Sequence, residues 1–147
     1  MEWQELMRDV ISETLEKMFF TIVEFEGEEE NQPDQQLTTH INLKSEENKE
    51  VITIVISLNL SFARQLTADF LGKIADDITE TDTEDCMKEL ANMTGGGMVA
   101  KLGGSYKLEL PQPGEPSTEG GNAQEEIPLF VLGSPVGKVR LYKETSS

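Results

Sequence analysis

The stretch "ELANMTGGGMVAKLGG", residues 89–104, decides how the rest of the chain is read. It begins as an amphipathic helix, with Leu90 and Met93 on one side and Glu89 and Asn92 on the other, and then meets three consecutive glycines. Inside a helix each glycine costs about 1 kcal/mol relative to alanine. The glycines therefore end the helix, form a phosphate-cradling loop, or let another body approach the backbone closely. Termination at Gly95 fits the preference for glycine just past a helix end. A phosphate loop fits poorly, because such loops place glycines after a strand and ahead of a helix N-terminus. Lys101 also comes late and is followed by leucine.

At about 100° per residue, Asp85, Glu89, Asn92 and Gly96 fall within roughly 60° of one another. Met87, Leu90, Thr94 and Met98 lie opposite, with Cys86 and Met93 at the margin, and are expected to bury. A core helix needs only that second face. An isolated Glu-x-x-Asn is ordinary solvated helix surface. Gly96 in the same stripe, with Gly95 and Gly97 beside it, lowers the surface next to Asn92 and turns the stripe into a candidate docking face, provided the helix continues.

Upstream, Thr81 and Glu84 have the spacing of a capping box for this helix, and Asp82 and Asp85 lie where the helix dipole favours anions. Before it, Ser61 is a candidate cap for a helix "FARQLTADFLG" ending at Gly72. "LTTHINLK" and "EVITIVISLN", separated by "SEENK", read as a hairpin whose second strand is central because it is apolar almost throughout. Trp3, Leu6, Met7, Val10, Ile11, Leu15, Met18 and Phe19 make one apolar stripe on an N-terminal helix of about five turns. Downstream come "SYKLELP", the polar loop "QPGEPSTEGGNAQEE", and a closing hairpin of "IPLFVLG" and "KVRLYKE" with its turn in "SPVG". The acidic "EGEEENQPDQQ" is expected to be a mobile connection. The order α-β-β-α-α-β-β-β describes one α/β-layered domain of the α+β type over residues 1–147, a largely antiparallel sheet covered by helices.

The 12 basic and 28 acidic residues give a net charge of −16, the wrong sign for binding nucleic acid or an anionic membrane by charge. Cys86 is the single cysteine, so no internal disulfide forms, and its place among apolar residues predicts a buried, reduced thiol. His40 is the single histidine and reads as a plain strand residue. No Ser/His or Cys/His pair suited to a small-molecule hydrolase can be composed around it. No basic leader precedes an apolar run and no membrane-spanning run occurs, so a cytoplasmic protein is expected.

"DTEDCMKELANMTGGGMVAKL" followed by "YKLELP" resembles the signature region of the CheX branch of the CheC/CheX/FliY chemotaxis phosphatases, and similarity extends to "QLTADFLGK" and "LEKMFFTIVE". The family motif, an acidic or Ser residue, then Glu, then Asn on one helix, falls on Asp85, Glu89 and Asn92. The resemblance implies a phosphatase acting on the phospho-aspartate of a CheY-like receiver domain. In it Glu89 pairs with the receiver's active-site lysine and Asn92 holds a water in line with phosphorus. The Mg²⁺ belongs to the receiver, so no metal or cofactor of this chain's own is implied. A homodimer associated through the sheets is also implied. Asp85, Gly95, Gly96 and Gly97 become partner-binding positions.

Asp9, Glu13 and Glu16 repeat the spacing on the N-terminal helix with Glu in the Asn position, as an inactive second copy of the motif would. The alternative from another class is a non-catalytic module that docks on a receiver or a flagellar switch component. Asn92 at its spacing from Glu89 favours catalysis over that alternative.

Overall fold

The computed structural model describes residues 2–28, 35–103, 105–117 and 124–145. Helix α1 (Trp3–Phe19) leads to strands β1 (Gln36–Ser45) and β2 (Glu50–Asn59), helix α2 (Leu60–Leu71), a 3-10 turn (Ala75–Asp77) and helix α3 (Glu80–Leu102). Strands β3 (Lys107–Leu108), β4 (Gln112–Pro113), β5 (Glu125–Val131) and β6 (Ser134–Thr145) complete the chain. The sheet is antiparallel in the order β3-β1-β2-β6-β5, and β4 pairs with β1 beside β3. The expected α+β order is present, with the segment after α3 divided into two short strands on the β1 edge.

Strand β2 is central, as its apolar run predicts. Ile52, Ile54, Ile56 and Leu58 point into one core with Ile41 and Leu43 of β1, Ile127 and Leu129 of β5, and Val139 and Leu141 of β6. From the helices, Met7, Ile11, Leu15 and Phe19 of α1, Leu66 of α2, and Met87, Leu90 and Met98 of α3 close that core. The other face of the sheet is mostly polar, with Val55 of β2 a buried apolar residue on it. There Thr53 donates to Asn42 Oδ1 at 2.7 Å, Thr38 and Ser57 share a hydrogen bond at 2.9 Å, and Arg140 reaches Tyr142 and Glu115. Period-two alternation thus gives the layers: three helices on one face and a hydrogen-bonded polar surface on the other.

Several local expectations are corrected. The residue before α2 is Asn59, not Ser61, and Ser61 lies inside the first turn, because β2 runs straight into the helix with no loop between them. Gly72 ends that helix in the left-handed region as expected. The capping box of α3 is Thr79 with Asp82, not Thr81 with Glu84, because the helix starts at Glu80. Met18, assigned to the buried stripe of α1, is 43% exposed at its edge. The last hairpin turns at Leu132–Gly133, both at positive φ, which matches the twist of two-residue turns; "SPVG" is the start of β6. Gly137 there serves close approach, since a Cβ would run into the Ser57 carbonyl of β2. The connections expected at 26–36 and 112–126 lie partly outside the described residues, at 29–34 and 118–123.

Candidate active site

Helix α3 is fixed first at its N-terminus. Asp82 N–H donates to Thr79 Oγ1 at 3.0 Å, and Thr79 N–H donates to Asp82 Oδ2 at 3.1 Å. These reciprocal bonds satisfy two donors that a helix start would otherwise leave unpaired. The helix then runs unbroken through Gly95, Gly96 and Gly97 and ends at Gly103, which caps it at φ 88°. Termination at Gly95 is thereby excluded.

The three glycines have three different surroundings. A Cβ on Gly95 would lie 2.5 Å from Leu108 Cδ1 of β3 and 3.4 Å from Ile41 of β1. A Cβ on Gly97 would lie 2.9 Å from Val10 Cγ1 of α1. A Cβ on Gly96 would meet nothing within 4 Å. Gly95 and Gly97 therefore let α3 sink onto the sheet edge and against α1, an internal packing role beside the partner-facing one expected of all three. Only Gly96 lies bare on the outer face.

That face carries the stripe read from the sequence. Asp85 and Asn92 are exposed and Glu89 is half-buried, while Cys86, Met87, Leu90, Ala91, Thr94 and Met98 are buried on the opposite side. Glu89 and Asn92 stand about 4.5 Å apart along the axis. Among the described residues, the side chains of Asp85, Glu89 and Asn92 make no hydrogen bond or ion pair.

The other polar candidates are accounted for internally. The Cys86 thiol is pushed up by burial, more weakly lowered by a hydrogen bond with Thr67 and raised by the nearby Glu89 carboxylate, so it stays a protonated thiol. His40 Nδ1 lies 2.7 Å from the Gly114 carbonyl and fastens the loop after β4 to β1. Among the described residues no group of three or more His, Cys, Asp or Glu side chains is placed to hold a metal ion. Among them too, no helix is long and apolar enough to cross a membrane.

The family model described as "Chemotaxis phosphatase CheX" matches residues 37–119, from β1 through α3 to the loop beyond β4. The chain belongs to the CheX family. No curated protein matches it. The CheX of a CheX–CheY–BeF3–Mg²⁺ complex from Borrelia burgdorferi is 16% identical, with a TM-score of 0.70 over 97% of this chain and 98% of that one. A CheX from Desulfovibrio desulfuricans gives 17% and 0.69 over 95% and 97%, and one from Vibrio vulnificus 14% and 0.68 over 95% and 97%. At these identities the likeness is one of fold, and it covers the whole CheX architecture, including α1, β5 and β6 outside the family match.

Within this CheX fold, α1 lies beside α3. Asp9, Glu13 and Glu16 are exposed on it, and Glu13 is engaged by Lys17 at 2.6 Å, which holds its carboxyl below the usual range. The second stripe thus has a carboxylate where α3 has an amide, and its middle residue is tied to a neighbour. What sequence reasoning missed is the groove between the two helices, whose signal, Met18 together with Met93 at the margins of two apolar stripes, is visible only once the helices are packed.

Proposed function

We propose that this CheX-family protein hydrolyses the phospho-aspartate of a CheY-like receiver domain, with Asn92 positioning the attacking water and Glu89 orienting the docked receiver. The observation that carries this reading is the pair itself: a carboxylate and an amide about one turn apart on the outer face of one unbroken helix, with no hydrogen bond or ion pair of their own among the described residues. The CheY, BeF3 and Mg²⁺ bound with the Borrelia CheX support a receiver as partner and the receiver as the source of Mg²⁺.

Acyl phosphate hydrolysis asks for positioning and charge stabilisation more than for covalent catalysis. The Asn92 amide offers a donor and an acceptor, so it orients a water on the side of phosphorus opposite the aspartyl oxygen. As the water oxygen bonds to phosphorus, the bond from phosphorus to the aspartyl oxygen breaks. The carboxylate leaves with the electron pair, and the protons of the water pass to phosphate and solvent. A carboxylate in place of Asn92 would add negative charge beside the phosphoryl group, which is why Glu16 on α1 cannot serve the same role. Glu89 pairs with the receiver's lysine and Asp85 extends the contact by one turn. The protein acts as a cytoplasmic homodimer in this reading.

Substoichiometric protein is expected to speed phosphate release from a Mg²⁺-loaded phospho-receiver, and Asn92→Ala to reduce that rate by about 10²-fold or more, the scale of losing one oriented contact in a transition state. Wild-type protein that binds the receiver without speeding phosphate release would establish the non-catalytic docking module instead.

A further inference from the structure

Helices α1 and α3 meet where Gly97 lies against Val10, and above that contact a groove of about 450 Å³ remains open. Thr14 and Met18 of α1 form one wall, and Met93, Gly97 and Ala100 of α3 form the other. Met18 is 43% exposed, Met93 half-buried and Ala100 exposed, so apolar surface lines an open channel. The groove is continuous with the catalytic stripe. Met93 follows Asn92 directly, and Gly96 and Ala100 carry the outer face of α3 onward one and two turns from Asn92.

The charge at the groove's mouth is unlike that of the rest of the chain. In a molecule of net charge −16, the groove is bordered by two lysines, Lys17 and Lys101, against one carboxylate, Glu13. Glu13 is bonded to Lys17 at 2.6 Å and also feels the charge of Lys101, which itself makes no ion pair within 4 Å among the described residues. Thioether side chains adapt their shape to an apolar partner, and such surfaces are common where helices dock. An acidic protein that must bring Asn92 against a negatively charged phosphoryl site gains from a local cation and a dry anchor beside it.

We infer that the α1/α3 groove is the second half of the receiver-docking surface, and that it takes an amphipathic helix of the receiver that places an apolar side chain between Met18, Met93 and Ala100 and a carboxylate against Lys101. This rests on the phosphatase reading, of which it specifies the partner contact.

The test uses the full chain with CheY loaded with BeF3 and Mg²⁺ for binding, and with phospho-CheY for turnover. Ala100→Glu fills the groove with bulk and negative charge at an exposed helical position, and Lys101→Glu reverses the charge at the groove's mouth without changing its apolar walls. Each is expected to weaken binding and raise KM at least tenfold with a much smaller effect on kcat, while Lys101→Arg keeps wild-type KM. Binding and KM unchanged in both Ala100→Glu and Lys101→Glu would overturn the inference, and so would a change confined to self-association in sedimentation. An inactive Asn92→Ala beside unaffected groove variants removes the groove and leaves the phosphatase reading standing. Lost binding in the groove variants, with turnover absent even in the wild type, keeps the groove and removes catalysis.

Discussion

Gly96 stands one turn beyond Asn92, and a methyl group there would touch nothing in the molecule. Replacing a helical glycine whose Cβ would meet no neighbour by alanine stabilises by up to about 1 kcal/mol. Gly96→Ala is therefore expected to raise the thermal midpoint while weakening receiver binding, since the methyl group projects into the face proposed to dock the receiver. Calorimetry and a binding titration on one sample check both halves, and unchanged binding would show that the partner does not reach Gly96. The stripe of Asp85, Glu89, Asn92 and Gly96 was legible because helical periodicity alone places residues on a face. The separate roles of Gly95 and Gly97 were not legible, because they depend on Leu108, Ile41 and Val10, which the chain brings in from three other elements.

At the scale of the element, α3 presents the stripe of Asp85, Glu89 and Asn92 from an unbroken helix of 23 residues that contains three glycines in a row. Its register is set by the cap and by buried Leu90, Thr94 and Met98 rather than by propensity. Thr79→Ala removes one side of the reciprocal cap and is expected to cost about 1 kcal/mol in denaturant unfolding, with kcat little changed. The cap also carries a pH signature. Asp82 accepts the Thr79 backbone N–H, which holds its carboxyl below the usual range against a weaker opposing effect of burial. A carboxyl depressed in the folded state stabilises above its unfolded value, near 3.9, and that contribution is lost as pH falls through the folded value. The stability difference between wild type and Asp82→Asn should thus be full at neutral pH and fade below about pH 4; a difference that grows with acidity would contradict the assignment. The sequence contains two overlapping Thr-x-x-acid spacings here, 79/82 and 81/84, and which one caps depends on where the preceding 3-10 turn releases the chain.

For the whole molecule, the order of helices and strands followed from hydrophobic periodicity, and the central place of β2 from its apolar run. The turn of the last hairpin did not follow, because Leu132 is an uncommon residue at positive φ and the proline and glycine of "SPVG" offered a stronger turn signal. Gly137 belongs to the sheet: a side chain there would meet the backbone of Ser57 and Leu58 in the central strand. Gly137→Ala is expected to destabilise at the upper end of ordinary single substitutions, by about 3 kcal/mol, measured as a shift in denaturant midpoint. The same sheet backs the helix layer from which Glu89 and Asn92 project, so such a variant should lose activity only as it unfolds. The central claim is that this rigid layer offers Asn92 to a phosphoryl group held by another protein. Its most direct test is to measure, on Asn92→Ala, both binding of BeF3- and Mg²⁺-loaded CheY and phosphate release from phospho-CheY at saturation. Binding close to wild type with release reduced about 10²-fold or more is expected; release at the wild-type rate would rule out Asn92 as the residue that positions the water.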